Sequence, residues 1–288
     1  MNINESEKLI PKEIIQKFKN TMNLDNLPAD LHISTITVTC KFDTCFNVQN
    51  IGKYIDLTTD GIVSAKYGSG ENYLRSLIPI KKKKKKKPKK IFYNQTTVEI
   101  LSKLFKNKIN VKLFKNGSIQ MTGCKGLENF LEVLMVLCRE LKKNKAIINP
   151  NTMNDVILKP FLTTPENLGV EKIKSIKVRM INSGLKTGFE IDREKLYNIL
   201  LRKGVHCTFE PCAHAGVNIK YNYKGQDTIS IFIFESGAII ITGAKNIDHI
   251  MHSYNFVTKI LYENYHDIVL SIISIEYLLS KFKSDKYF

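Results

Sequence analysis

The chain has 288 residues, 43% of them hydrophobic, enough to bury one large core or two smaller ones, so disorder throughout is excluded. No run of about 18 apolar residues occurs, and the opening MNINESEKLI has neither a basic n-region nor an apolar core, so no membrane span or signal peptide is expected and the protein is read as intracellular. The formal net charge is +17; Lys81 to Lys87, Lys89 and Lys90 supply nine of those charges and leave about +8, a basic body suited to a polyanion, with nucleic acid ahead of acidic protein or anionic membrane.

The predicted elements begin with a short helical arm over 1–29, patterned in EKLIPKEIIQKFKN. LHISTITVTCKF reads as a strand, followed by a mixed helical stretch to about Gly61. A basic insertion covers about 68–90; its lysine tract is either a polyanion-binding segment that adds sequence-independent affinity or a solvated low-complexity stretch. Strand patterns resume at IFYNQTTVEI, INVKLF and SIQMTG. GLENFLEVLMVLCRELKK then carries a helical stripe of Leu127, Phe130, Leu131, Leu134 and Leu137 or Cys138. After a proline-bearing linker over 149–171 the order recurs: strand IKSIKVRMINSG, helix REKLYNILLRKG, strands VNIKYNY, TISIFIF and AIIITG, and the long helix NIDHIMHSYNFVTKILYENY. These define repeats over 30–148 and 172–266, and a tail over 267–288 that is expected to be helical.

The duplication is sharpest in two hairpins 120 residues apart, FKNGSIQMTGCK from Phe114 and FESGAIIITGAK from Phe234. Gly117 and Gly237 suit a three-residue loop closed by a left-handed residue. That register places Leu113, Ile119 and Met121 on one face, and Ile233, Ile239 and Ile241 on the matching one; both sets are apolar and should lie beneath the long helices. The opposite faces receive Phe114, Ser118, Gln120 and Thr122, and Phe234, Ala238, Ile240 and Thr242. An aromatic there is either covered by another part of the protein or used for binding.

The doubled pattern F-x-x-G-x-x-x-x-T-G-x-K, with FEPCAHAGVNIKYN and TVTCKFD, resembles the TATA-box-binding protein family over roughly 30–145 and 172–265. The chain is most similar to the divergent versions carried by large nucleocytoplasmic DNA viruses, which would suit its richness in residues with A/T-rich codons. The resemblance implies an α+β fold: a saddle of two pseudo-symmetric repeats that form one curved antiparallel sheet, with helices on the convex face. It further implies a transcription initiation factor that binds and bends A/T-rich double-stranded promoter DNA through the minor groove and recruits a B-type initiation factor and RNA polymerase. The implied setting is the nucleus or the cytoplasmic viral factory of an infected cell, with packaging in the virion also open.

Carried across by the resemblance, Phe114 and Phe234 match wedge phenylalanines, and Thr122 and Thr242 match central threonines. Gln120 and Ile240 fall at an apolar groove contact, where Gln120 is a departure. His214 stands where the second wedge phenylalanine would be, and Lys220 stands at a rim arginine. The first-repeat partner is Phe92 or Tyr93; alternation favours Tyr93 with Gln95 and Thr97 if Val98 and Ile100 face the core. Leu31 and Val178 occupy the places of the family's paired asparagines, with Asn182 a displaced candidate. These departures favour a loose A/T or bendability preference over strict TATA specificity. An interaction scaffold that keeps the fold without base readout is the alternative, and it would be favoured if the tail lay in the concavity.

Other chemistry is thin. The six cysteines, without a signal peptide, are read as reduced thiols. His206, Cys207, Cys212 and His214 form an H-C-x4-C-x-H cluster with zinc-type ligands, and bystander cysteines are the plainer reading, so no metal or cofactor is expected. No phosphate loop, nucleophile elbow or H-E-x-x-H motif is present, and no enzyme activity is expected.

Overall fold

A computed structural model of the chain describes residues 10–21, 27–68, 74–79 and 92–272. The lysine tract, the first nine residues and 273–288 lie outside the described residues. The chain divides into a first unit, residues 1–22 with 35–179, and a second, residues 23–34 with 180–288.

The first unit begins with helix α1 (Lys12–Thr21). Its buried Phe18 stacks on Phe130 with ring centroids 6.2 Å apart, so the N-terminal arm is tied down by an aromatic contact. Then follow β1 (His32–Lys41), α2 (Val48–Tyr54), β2 (Ile62–Lys66), β3 (Leu74–Ser76), β4 (Gln95–Leu101), β5 (Lys108–Phe114), β6 (Ser118–Cys124) and α3 (Leu127–Leu141). The strands lie in the order β1-β6-β5-β4-β2-β3, antiparallel at every pairing. Alternation sends Val38, Val98, Val111, Leu113, Ile119 and Met121 to a face with no solvent exposure, against the α3 stripe of Phe130, Leu131, Leu134 and Leu137. Leu137, with Cys138 only half-buried, completes that stripe.

The segment expected as a plain linker has structure of its own. β7 (Lys145–Ile148) and β8 (Val156–Lys159) make a separate hairpin. Beyond it, Phe161 and Leu162 are buried, and their backbone strands along Cys45 to Asn47 through Asn47 N–H to Phe161 C=O (2.8 Å) and Thr163 N–H to Cys45 C=O (3.1 Å).

The second unit repeats the plan with β9 (Ser175–Lys186), β10 (Phe189–Ile191), α4 (Arg193–Arg202), β11 (Cys207–Thr208), β12 (Val217–Tyr223), β13 (Asp227–Ile233), β14 (Ala238–Ala244) and α5 (Ile247–Glu263). Its sheet order is β11-β12-β13-β14-β9, again antiparallel. Ile219, Ile229, Ile231, Ile233 and Ile241 are fully buried beneath α5, whose Ile250, Val257 and Leu261 face them. Asp192 caps α4 by accepting from the N–H groups of Glu194 and Lys195, a contact worth about 1 kcal/mol. The end of β1 stands 73 residues before Phe114, whereas the end of β9 stands 48 before Phe234. The 25 extra residues of the first repeat fall where β3 and the basic insertion lie.

The tail differs from expectation at its start. After a one-turn helix α6 (Tyr265–Ile268), Val269–Ile272 is a strand, β15, that pairs antiparallel with β10. β-branched Val269, Ile272 and their neighbours gain a free strand edge there, which outweighs the helical spacing read from the sequence.

Both hairpins close as the sequence predicts. Gly117 (φ 81°) and Gly237 (φ 74°) are left-handed, and their N–H groups reach the carbonyls of Phe114 and Phe234 at 3.1 and 3.0 Å. A Cβ would also collide with neighbouring backbone, 2.2 Å from the Thr44 carbonyl oxygen at Gly117 and 2.3 Å from that of Phe189 at Gly237.

Candidate nucleic-acid interface

Each sheet has one face beneath helices and one that its own unit's long helix leaves open. On the open face of the first unit, β5 sets the rows. Phe114 lies opposite Gln95; Lys112 lies between Thr97 and Gln120; Asn110 lies between Glu99 and Thr122. β1 extends these rows with Thr39 beside Gln120 and Thr37 beside Thr122. The Thr37 hydroxyl donates to that of Thr122 at 3.3 Å.

The second unit has the same rows with different chemistry. Phe232 lies between Asn218 and Ile240, and Ile240 lies beside Gly184. Ser230 lies between Lys220 and Thr242, and the Lys220 ammonium donates to the Ser230 hydroxyl at 2.7 Å. The Thr242 hydroxyl donates to Asn182 Oδ1 at 2.6 Å. Phe234 adjoins the His214 ring, with centroids 5.9 Å apart, and His214 lies closer still to Phe232, tilted against it at 4.9 Å. The Gly216 N–H donates to His214 Nδ1 at 3.2 Å, which holds the ring in place. Among the residues of this face Ile240 is 41% exposed, a large aliphatic side chain presented to solvent.

The sequence-derived residues are therefore gathered in two groups, one in each unit. Phe114, Gln120 and Thr122 share the first open face; Phe234, Ile240, Thr242, His214, Lys220 and Asn182 share the second. Phe92 and Tyr93 correct one premise: β4 starts at Gln95, so strand alternation does not reach either residue. Both precede the strand and are exposed, 52% and 57%, and Tyr93 sets its ring edge against Tyr67 at 6.4 Å. The turn at Tyr93 and Asn94 is held by Lys115 N–H donating to the Asn94 carbonyl at 3.0 Å. Val98 and Ile100 do face the core, which leaves Gln95 and Thr97 on the open side.

Two residues of these faces escaped the sequence reading. Phe232 precedes Phe234 by two, so the same alternation that placed Phe234 places it too, and IFIF was the signal. Lys112 is its counterpart 120 residues earlier.

The H-C-x4-C-x-H cluster does not converge. Cys207 is buried opposite Ile219, where burial pushes its thiol up, while His214 turns its ring to Phe232. Among the described residues no group of three or more His, Cys, Asp or Glu side chains could hold a metal ion. The thiols of Cys124 and Cys138 are likewise pushed up to about 12 by burial. Among the described residues no helix is long and apolar enough to cross a membrane.

The family "Transcription factor TFIID (or TATA-binding protein, TBP)" matches residues 175–264, from the start of β9 to the end of α5. A solved structure, Methanococcus jannaschii TBP, is similar at 17% identity over 81% of this chain and 99% of that one, with a TM-score of 0.48. A protein of Acanthamoeba polyphaga mimivirus described as "TATA-box-binding protein-like" is 38% identical over 289 residues, which span 95% of this chain and 74% of that protein. With identity of that extent joined to two α+β repeats carrying the same hairpin, the chain belongs to the TATA-box-binding protein family of transcription factors.

Proposed function

We propose that this protein is a transcription initiation factor that binds A/T-rich promoter DNA through the minor groove, bends it, and recruits a B-type initiation factor and RNA polymerase within an infected cell. The observation that carries the reading is the aromatic group of Phe232, Phe234 and His214 on an open sheet face, with Ile240 beside it. Flat rings at the end of a strand on an open face are what a protein needs to part stacked bases, and the unstacking is repaid by contact with the bent duplex. Lys220 and Lys186 stand on the same face, at β12 and at the end of β9, and would meet phosphates. Thr, Asn and Ile between the rings suit a groove whose A·T edges offer acceptors and no guanine amino group.

The interaction-scaffold reading draws on Lys112 and Gln120, which make the first open face polar. Its expected sign, the tail lying across the sheet, is not met by the described part: Val269–Ile272 pairs with β10.

Selection of bound duplexes from a random pool separates the two. Enrichment of A/T-rich sequence with flexible steps is the expected outcome, and a pool that emerges without enrichment would overturn base readout.

A further inference from the structure

The two open faces differ most in their middle rows. In the first unit the row reads Thr97, Lys112, Gln120, Thr39; in the second it reads Asn218, Phe232, Ile240, Gly184. Resting on the proposed minor-groove function, we infer that the two units impose unequal base requirements: the middle row of the second unit's face demands A·T pairs, and the middle row of the first unit's face accepts G·C as readily as A·T, with Gln120 and Lys112 the residues that make it permissive.

The argument rests on one chemical group. In the minor groove every base pair offers acceptors, and G·C differs from A·T by the guanine amino group alone. Against Ile240 and Phe232 that amino group loses its water and finds no acceptor. Ile240 and Phe232 have none to offer, Gly184 has no side chain, and the side-chain oxygen of Asn218 is enclosed by the protein. Gln120 behaves differently. Its amide can turn its oxygen to accept from guanine or its nitrogen to donate to adenine or thymine, so either pair satisfies it. The Lys112 ammonium donates to acceptors common to all pairs and adds attraction to phosphate without discrimination. The hydroxyls of Thr97 and Thr39 can likewise donate or accept.

The site should therefore be directional, strict in one half and tolerant in the other. The test is a competition titration with a duplex from the selected pool and two derivatives, each with G·C replacing A·T in one half. One derivative is expected to lose about tenfold or more in affinity and the other less than roughly threefold. Inosine·cytosine, which lacks the amino group, should restore binding in the strict half. Gln120→Ile with Lys112→Phe, both on the open face and outside the core, should make the tolerant half strict and leave the other half unchanged. Equal losses in both halves of the wild-type site would overturn the inference while leaving DNA binding intact. Failure to bind or bend any selected duplex would overturn the underlying function and the inference with it.

Discussion

The Thr242 hydroxyl donates to Asn182 Oδ1 across 2.6 Å, joining β14 to β9 on the open face of the second unit. With its proton committed, Thr242 has only acceptor capacity left for a base, and the Asn182 amide nitrogen becomes the donor that can meet an adenine or thymine acceptor. Asn182→Asp keeps the acceptor for Thr242, removes the donor and places a carboxylate before an anion. Affinity for the selected duplex is expected to fall on the order of tenfold, measured by fluorescence anisotropy, with thermal stability unchanged. Retained affinity would exclude Asn182 from the interface.

The hairpin glycines can be separated from ordinary turn glycines. Gly225 has a similar left-handed backbone (φ 73°), and a Cβ there meets nothing within 4 Å. Gly225→Ala is therefore expected to cost about 1–2 kcal/mol, the conformational share alone. Gly237→Ala adds a collision with the Phe189 carbonyl and should cost at least roughly 3 kcal/mol in urea unfolding. Equal costs would show that the close approach is immaterial.

His249 and Asn129 hold the same station 120 residues apart. Each accepts a backbone N–H at the start of its long helix, from Lys245 at 3.4 Å and from Lys125 at 3.1 Å. Burial lowers the His249 pKa from its ordinary 6.5, with Asp227 and Asp248 opposing the shift and Lys245 and His252 adding to it. Because the folded value is the lower one, the unfolded chain takes up the proton first. The stabilisation is complete above about pH 6.5 and is lost as pH falls through the folded value. His249→Asn copies the first repeat's residue into the second and keeps an acceptor. Its melting temperature is expected to fall less than that of the wild type between about pH 7.5 and about pH 5.5. Parallel curves would contradict the assignment.

Most of the fold was legible because it is local and repeated. Alternation in SIQMTG and AIIITG, the helical stripe of α3 and the left-handed glycines each need only near neighbours, and each recurs at the same offset. What was missed depends on partners far away in sequence. Val269–Ile272 is a strand because β10 offers it an edge, and the hairpin of β7 and β8 sits where prolines suggested only a linker. At the site, Phe114, Phe234 and the threonines followed from alternation. Asn182 was named only through the resemblance, as a displaced candidate, because its hydrogen bond to Thr242 crosses two strands, and the Phe92 and Tyr93 alternatives fell on a turn that alternation cannot describe.

The most direct test of the central claim is DNA bending, read as energy transfer across a duplex from the selected pool labelled at both ends. Wild-type protein is expected to bring the ends together. Phe114→Ala with Phe234→Ala should leave the duplex straight at saturating protein, with the thermal unfolding curve of the double variant retained because both side chains lie outside the fully buried core. A wild-type complex that stays straight, or a double variant that bends the duplex as the wild type does, would contradict the account.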